Sequence, residues 1–195
     1  MATYRDYNPS KHNDFMTPPE VYEDVKEFIP KDKVIWEPFY GDGTSGKKLR
    51  SMGLKEVIHE PNQDFFEHNK GEVVVSNPPY ETKKEIIEKL VGLDKPFMLL
   101  LPVSTMCYKY SQIMKGNMQL IIPDGRIKYI YLDKKTMKID ENWRKKNAAF
   151  DSVWICYKMG FEHDINYLQK KPKPKKVKKP KKAKPLEGLR GCKIF

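Results

Sequence analysis

The sequence has few of the features that mark membrane, secreted or metal-binding proteins. No apolar run approaches the roughly 20 residues that cross a bilayer, and the N-terminal residues lack the apolar segment of a secretory signal. The three cysteines, Cys107, Cys156 and Cys192, are far apart and form no CxxC pair, which argues against a cysteine zinc site or a redox dithiol. We therefore expect reduced thiols, no metal, and a soluble protein of the cytoplasm, or of the nucleus in a eukaryotic host.

The net charge of +11 is concentrated at the C-terminal end. Residues 170–195 hold 12 of the 37 basic residues and one of the 26 acidic residues, so the preceding 169 residues are balanced. Ten lysines and four prolines lie within residues 170–185, a composition that predicts an extended, solvated arm. Such an arm either attracts phosphate backbones or serves only as a solubilising tail. We predict one domain over residues 1–165 and a basic tail over residues 166–195.

Short β-rich runs alternate with helical patterns along the domain. Strands are predicted at residues 33–36, 56–59, 72–76 and 97–103, and helices at residues 46–52 and 83–93. This alternation favours an α/β fold with a mostly parallel, Rossmann-like sheet. Two further β-rich runs, residues 126–132 and 152–157, predict an antiparallel hairpin at the sheet edge. The segment TPPE at residues 17–20 predicts the start of a helix that continues through residues 21–28, with Thr17 as its cap.

The first predicted strand ends in an acid and turns through two glycines, in the sequence WEPFYGDG at residues 36–43. Ligands of doubly wound sheets bind at the carboxyl ends of the strands, where glycines allow a close backbone approach. The pattern in isolation also fits a simple tight turn. Residues 41–47, GDGTSGK, nearly match a phosphate-binding P-loop, but Lys48 stands where that motif needs serine or threonine. The cofactor-binding candidates from this loop are Glu37, Pro38, Phe39, Gly41 and Gly43.

The second predicted strand is also followed by an acid and an aromatic residue. Glu60 is placed to accept hydrogen bonds from ribose hydroxyls, as acids at this position do in dinucleotide folds. Asp64 is a candidate acceptor for an adenine amine, and Phe65 offers a flat apolar surface to a purine ring. Packing in the core is the alternative for Phe65.

The strongest signal is VVVSNPPY at residues 73–80. A β-branched run, typical of a buried parallel strand, ends in an amide, two prolines and an aromatic ring. Because proline fixes φ and donates no hydrogen bond, the Asn77 amide and the Pro78 carbonyl are held rigidly. Each can accept one hydrogen of an exocyclic amine and favour the geometry of a nucleophile. We predict Asn77, Pro78 and Tyr80 as catalytic residues, with Tyr80 stacked on a base that has left the duplex.

Four motifs in this order resemble the Dam-like and type II restriction-modification N6-adenine DNA methyltransferases. They are TPPE (17–20), EPFYGDG (37–43), DFF (64–66) and NPPY (77–80), within a resemblance that spans about residues 12–158. It implies a methyltransferase that binds S-adenosylmethionine and DNA, with Thr17 and Asn77 added to the cofactor site. The family often has aspartate at the position of Glu37, and the stretch from Glu60 to Asp64 is unusually short here.

Larger members of that family carry a target-recognition domain, for which this chain has no room. Recognition is then expected from short insertions at residues 108–117 and 134–147, because their aromatic and basic side chains suit stacking and phosphate contact. A solvated loop is the alternative for each. The hairpin around residues 125–128 and 148–152 also looks like that of phage-type members. The substrate-binding candidates are Pro79, Tyr108, Lys109, Arg126, Trp143 and Arg144.

Three other functions fit parts of the pattern. RNA is an alternative polymer for the same reaction. Protein glutamine methyltransferases also use NPPY to hold a planar amide, although they usually carry an added helical domain before the first motif. A degenerate methyltransferase fold serving as a nucleic-acid-binding subunit is a third alternative, which the intact tetrad disfavours.

Overall fold

A computed structural model describes residues 15–133, 138–139, 148 and 150–169. The described strands are β1 (Phe15–Met16), β2 (Val34–Trp36), β3 (Glu56–Ile58), β4 (Val73–Ser76), β5 (Phe97–Pro102), β6 (Met118–Ile122), β7 (Ile130–Asp133), β8 (Lys138–Ile139), β9 (Ser152–Tyr157) and β10 (Ile165–Tyr167). The α-helices are α1 (Pro19–Asp24), α2 (Thr44–Arg50), α3 (Lys83–Gly92) and α4 (Tyr108–Ile113). Two 3₁₀ turns cover Lys26–Phe28 and Val103–Met106. None of the helices in these ranges has the length and apolarity that a membrane span requires.

Seven of the strands form one sheet in the order β10-β6-β9-β5-β4-β2-β3. Each pairing is parallel except the two made by β9, which runs antiparallel to β5 and to β6. All residues of β4 and β5 are buried, as expected of strands covered on both faces. The predicted fold class, a mostly parallel Rossmann-like α/β sheet with an antiparallel element, is confirmed.

The helix that follows the TPPE segment starts later and ends earlier than predicted. Pro18 is the N-cap, with φ −58° and ψ 142°, and Pro19 is the first helical residue. A residue before proline is restricted to extended conformations, so Pro18 cannot enter the helix, whereas Pro19 is well suited to its first turn. The prediction that Thr17 caps the helix is therefore wrong. The α-helix ends at Asp24, and the 3₁₀ turn at Lys26–Phe28 continues the predicted segment.

The predicted edge hairpin is wrong in its pairing. Strand β9 matches the predicted run at residues 152–157 but lies inside the sheet, between β5 and β6, with all six residues buried. Strand β7 belongs to a separate three-stranded sheet with β1 and β8. The two predicted segments still meet, because the Arg126 guanidinium lies 2.7 Å from the Asp151 carboxylate. Strands β6 and β10 were not predicted.

Strand β10 crosses the predicted boundary between domain and tail at residue 165. It pairs in parallel with β6, with Ile165 opposite Leu120, and the amide of Leu168 donates to the carbonyl of Ile122 at 3.0 Å. The described part of the domain therefore extends to residue 169. The lysine-rich residues 170–185 lie outside the described residues.

Candidate functional site

A cavity of about 360 Å³ opens at the carboxyl ends of β2 and β4. From β2 the chain continues to β3, which lies on one side of β2, and then to β4, which lies on the other side of β2. The strand order therefore reverses between β2 and β4. Ligands of open α/β sheets bind at such a reversal. The cavity is lined by Met16, Thr17, Tyr22, Glu37, Pro38, Phe39, Tyr40, Gly41, Asp42, Thr44, Ser45, Gln63, Asn77, Pro78, Pro79 and Tyr80.

The cavity brings together the glycine loop and the complete tetrad, but only part of the predicted cofactor set. The predicted residues that line it are Thr17, Glu37, Pro38, Phe39, Gly41, Asn77, Pro78, Pro79 and Tyr80. Four residues of the predicted cofactor set are absent from its lining: Gly43, Glu60, Asp64 and Phe65. The lining also contains seven residues that sequence reasoning missed: Met16, Tyr22, Tyr40, Asp42, Thr44, Ser45 and Gln63.

Glu37 is a buried carboxyl at the base of the glycine loop. Its Oε1 accepts hydrogen bonds from the Phe39 amide at 3.1 Å and from the Ser76 hydroxyl at 2.5 Å, and its Oε2 accepts one from Tyr22 at 3.3 Å. Burial raises the pKa of Glu37 to about 8, although these hydrogen bonds oppose the rise. Burial therefore favours the protonated form of this carboxyl, and a cationic ligand in the cavity would oppose that effect.

The glycine loop closes as a tight turn. Gly43 has a φ of +81°, and its amide donates to the carbonyl of Tyr40 at 2.9 Å. The Asp42 carboxylate accepts hydrogen bonds from the amide of Thr44 at 3.0 Å and from its hydroxyl at 2.6 Å. The first free amide of α2 is thus satisfied within the loop. Lys47, which a P-loop would direct at phosphates, is exposed and does not line the cavity.

His59, the residue after β3, holds the glycine loop through contacts of its side chain. Its Nδ1 donates to the carbonyl of Glu37 at 2.9 Å, and its ring stacks on Tyr40 with centroids 4.7 Å apart. A Cβ on Gly46 would lie 2.1 Å from the His59 ring, so only glycine lets α2 approach this closely. Sequence reasoning missed both residues, although the third glycine of GDGTSG was the available signal.

The tetrad forms a further part of the cavity wall. The Asn77 Oδ1 atom is buried and accepts no hydrogen bond from the described residues. An unpaired buried acceptor costs about 1–3 kcal/mol, a cost that a ligand donor would offset. Because Oδ1 exposes almost no surface, the amide must turn toward the cavity to meet such a donor. Tyr80 also lines the cavity, but it is only 4% exposed and its hydroxyl lies 3.0 Å from that of Tyr129.

The loop after β3 places its predicted ligand residues outside the cavity lining. Glu60 is exposed and pairs with Lys70 at 2.9 Å, while the Asp64 carboxylate accepts from the Phe66 amide at 2.7 Å. Phe65 is buried between Trp36 and Phe39, with ring centroids 5.5 and 5.2 Å away. The Phe65 ring contacts Phe39, which lines the cavity, but Phe65 itself is not part of the lining. This position fits core packing, which was the alternative prediction for Phe65.

Two lysines hold that loop through backbone carbonyls. Lys89 Nζ donates to the carbonyls of residues 65, 66 and 68 at 2.7, 2.8 and 2.9 Å, and it lies 5.0 Å from the centroid of the Phe65 ring. Lys95 Nζ donates to the carbonyls of residues 70 and 71, both at 2.7 Å, and to the Asn69 side chain. Burial lowers the pKa of Lys95, and the nearby Lys89 ammonium lowers it further. The loop is therefore fixed to α3 and to the segment after it.

Of the predicted substrate-binding residues whose side chains are described, Pro79 lines the cavity, whereas Lys109 and Arg126 do not. Lys109 is exposed on α4, with its ammonium 5.9 Å from the centroid of the Tyr110 ring, and Arg126 is paired with Asp151. Tyr108 begins α4, but its side chain is outside the described residues, as are Trp143 and Arg144. Sequence reasoning missed Lys83, whose ammonium donates to the Tyr80 carbonyl at 2.9 Å and whose pKa is lowered by burial.

No family model matches the chain. No curated protein matches its sequence. Among solved structures, the chain is similar to a dimethyladenosine transferase from Plasmodium falciparum, with a TM-score of 0.42 and 13% sequence identity. The alignment covers 73% of this chain and 62% of the transferase, so the chain spans about three fifths of that protein's length. The order and direction of its own strands define the Rossmann-like fold.

Proposed function

We propose that this protein is an S-adenosylmethionine-dependent methyltransferase that acts on the N6 amine of adenine in DNA. The observation that carries the proposal is a single cavity lined by both the glycine loop and all four residues of the NPPY tetrad. These segments follow neighbouring parallel strands at the point where the strand order reverses. A cofactor held by the glycine loop and a base held by the tetrad would lie side by side in the same cavity.

The residues of the glycine loop fit this cofactor. Apart from Gly41 and its two chain neighbours, none of the described residues has a heavy atom within 4 Å of the position that a Cβ on Gly41 would occupy, so the backbone there is open to a ligand. Phe39 offers an apolar surface, and Glu37 offers a carboxyl to a cationic ligand. S-adenosylmethionine, when bound, supplies a methyl group activated by the positive charge of its sulfonium.

The tetrad supports the choice of an exocyclic amine. The Asn77 amide oxygen is an unpaired acceptor, and the carbonyl of Pro78 follows it on the same rigid segment. Two acceptors matched to one NH₂ group draw electron density onto its nitrogen as charge develops. The protein needs no strongly nucleophilic side chain, because the positioning of the reactants supplies much of the rate in such displacements.

The surroundings of Tyr80 favour a base over an amide side chain. Its hydroxyl is hydrogen-bonded to Tyr129, so the residue offers the cavity an apolar ring. Flat apolar surfaces suit purine rings better than the small polar amide of glutamine. The ten lysines of the tail add a means of attracting a phosphate backbone. DNA is the proposed polymer, and RNA is the alternative.

The proposal is tested by incubating the full chain with methyl-labelled S-adenosylmethionine and, separately, duplex DNA, single-stranded DNA, RNA or a protein extract. Each product is digested to its monomers, and the labelled species is identified by mass. The expected product is N6-methyladenine in DNA. Label confined to RNA would assign the other polymer, whereas label only in glutamine, or none in any sample, would contradict the proposal.

A further inference from the structure

Three buried hydroxyl groups form a hydrogen-bonded chain behind the tetrad. The Tyr80 and Tyr129 hydroxyls lie 3.0 Å apart, and the Tyr129 hydroxyl donates to that of Ser152 at 2.6 Å. All three residues are less than 10% exposed. These hydrogen bonds therefore link Tyr80, the last residue of the tetrad, to Ser152, the first residue of β9. The link passes through Tyr129, which directly precedes β7.

The order of the hydrogen bonds follows from counting protons. A tyrosine hydroxyl carries one hydrogen, and that of Tyr129 is donated to Ser152. The hydrogen between the two tyrosines therefore comes from Tyr80. Burial raises the pKa of Tyr129 to about 12 and that of Tyr80 well above its usual value, so both phenols remain neutral. Tyr80 has no hydrogen left for a ligand, and what it offers to the cavity is its ring.

Packing holds the same ring from a second direction. Phe150 meets Tyr80 edge to face, with ring centroids 5.3 Å apart and an interplanar angle of 83°. It also contacts Tyr129, with centroids 5.7 Å apart. The tilt of the Tyr80 ring is thus set by a hydrogen bond at its tip and an aromatic contact at its side.

Tyr129 directly precedes β7, which pairs with a strand that contributes to the cavity lining. The following residue, Ile130, pairs with Met16 in the antiparallel β1–β7 ladder, and Met16 and Thr17 line the cavity. The segment that contains Tyr129 and Ile130 therefore contacts both the tetrad and the strand that carries Met16.

We propose that Tyr129 is a positioning residue, which holds the Tyr80 ring at the angle needed to stack on the target base. This inference rests on the proposed function, because it assigns a substrate-orienting task to Tyr80. Tyr129 itself touches no substrate and acts through the shared hydrogen bond.

The test is a double-mutant cycle on the full chain, with Tyr129→Phe, Tyr80→Phe and the double variant. Steady-state methyl transfer to an adenine-containing oligonucleotide gives kcat and KM, and calorimetry gives the Kd of the cofactor. Each single variant should lose about tenfold in kcat/KM for the oligonucleotide, because orientation is impaired, with the cofactor Kd within about twofold of wild type. The double variant should lose no more than either single variant, because all three lack the same hydrogen bond.

Two further variants separate positioning from folding. Tyr157→Phe is the matched control, since Tyr157 is also 4% exposed and its hydroxyl donates to Asp94, which does not line the cavity. This control should leave transfer unchanged whatever it does to stability. Ser152→Ala removes only the distal acceptor and should produce a smaller loss in the same direction, which keeps the test informative if Tyr129→Phe folds poorly.

The outcomes that overturn the proposal differ from those that overturn the function. If the wild-type protein transfers methyl groups to adenine and Tyr129→Phe does so equally well, only the positioning role fails. It also fails if the two single losses multiply in the double variant. A wild-type protein that methylates no adenine refutes the proposed function, and this inference with it.

Discussion

The Ser76 hydroxyl donates a hydrogen bond of 2.5 Å to the buried carboxyl of Glu37, across 39 positions of sequence. Ser76 is the last residue of β4 and immediately precedes the tetrad, whereas Glu37 opens the glycine loop after β2. One hydrogen bond therefore joins the two segments that form the cavity. A disturbance of the Glu37 carboxyl should consequently reach both the proposed cofactor side and the proposed base side of the site.

The buried carboxyl of Glu37 predicts a pH-dependent stability. In the folded protein its pKa is raised from 4.5 to about 8, chiefly by burial. Its stabilising contribution is therefore complete below about pH 4.5 and is lost as the pH rises to about 8, because only the unfolded chain ionises in this window. Glu37→Gln cannot ionise, so its free energy of unfolding should rise relative to wild type, by on the order of a few kcal/mol from about pH 5 to 8.

Urea unfolding of both proteins at several pH values in that window measures the difference. The matched control is Glu72→Gln, since Glu72 is an exposed carboxyl whose pKa is lowered by the Val34 amide and by Lys33. Its contribution changes only as the pH falls through the acidic range, so its difference from wild type should stay constant above pH 5. A constant difference for Glu37→Gln as well would mean that the Glu37 carboxyl is ionised in the folded state.

Asn77→Ala should abolish methyl transfer but leave the fold and cofactor binding in place. We expect a loss of about 100-fold or more in the transfer rate, the size seen when one polar group that stabilises a transition state is removed. Transfer is measured with labelled cofactor, and the cofactor Kd by calorimetry. Asn166→Ala is the control, because the Asn166 side chain, on β10, donates to the carbonyls of Leu120 and His163, and none of these residues lines the cavity. Loss of folding in Asn77→Ala alone would assign Asn77 a structural role.

Lys89→Met should loosen the loop that follows β3. The substitution leaves three carbonyls, those of residues 65, 66 and 68, without their ammonium donor, at an expected cost of about 1–3 kcal/mol in unfolding free energy. Hydrogen exchange of amides 64–71 should also become faster. Lys84→Met, on the same helix, removes an exposed pair with Glu88 and should cost less than about 1 kcal/mol. Equal effects of the two variants would show that the loop does not depend on Lys89.

Deleting residues 170–195 should weaken binding to DNA and flatten its salt dependence. The slope of log affinity against log salt should become shallower by about 0.9 for each phosphate that the arm no longer neutralises. Truncation after residue 185 is the matched control, because it keeps all ten lysines of the arm and should preserve the slope. Both truncations end beyond β10, so the described fold is retained. An unchanged slope after the longer deletion would exclude the arm from DNA binding.

The local pattern of the chain was sufficient to predict the strands that carry the site. The runs at residues 33–36, 56–59, 72–76 and 97–103 match β2, β3, β4 and β5 to within one residue at each end. They were readable because each combines β-branched or apolar residues with a turn signal directly after it. The same signals place Glu37 and Asn77 at strand ends, which a parallel sheet gathers at one edge.

The local pattern did not predict which strands lie next to each other in the sheet. The run SVWICY of β9 indicates burial on both faces, but burial does not say which strands lie beside it, and β9 inserts between β5 and β6. Strand β6 was overlooked because its run of MQLII follows a polar turn with no alternation to mark it. In both cases the neighbours are distant in sequence, and pairing depends on how the whole sheet closes.

The class of fold, the order of the motifs and the edge of the sheet at which they meet can be predicted from the local pattern, because periodicity and turn residues act over a few neighbouring positions. The pattern does not predict that Glu37 is buried against Ser76, that His59 packs on Gly46 and bonds the Glu37 carbonyl, or that Tyr80 is hydrogen-bonded to Tyr129. Each of these contacts joins segments brought together by crossovers. Their geometry therefore depends on the packing of the whole domain, which no local pattern encodes.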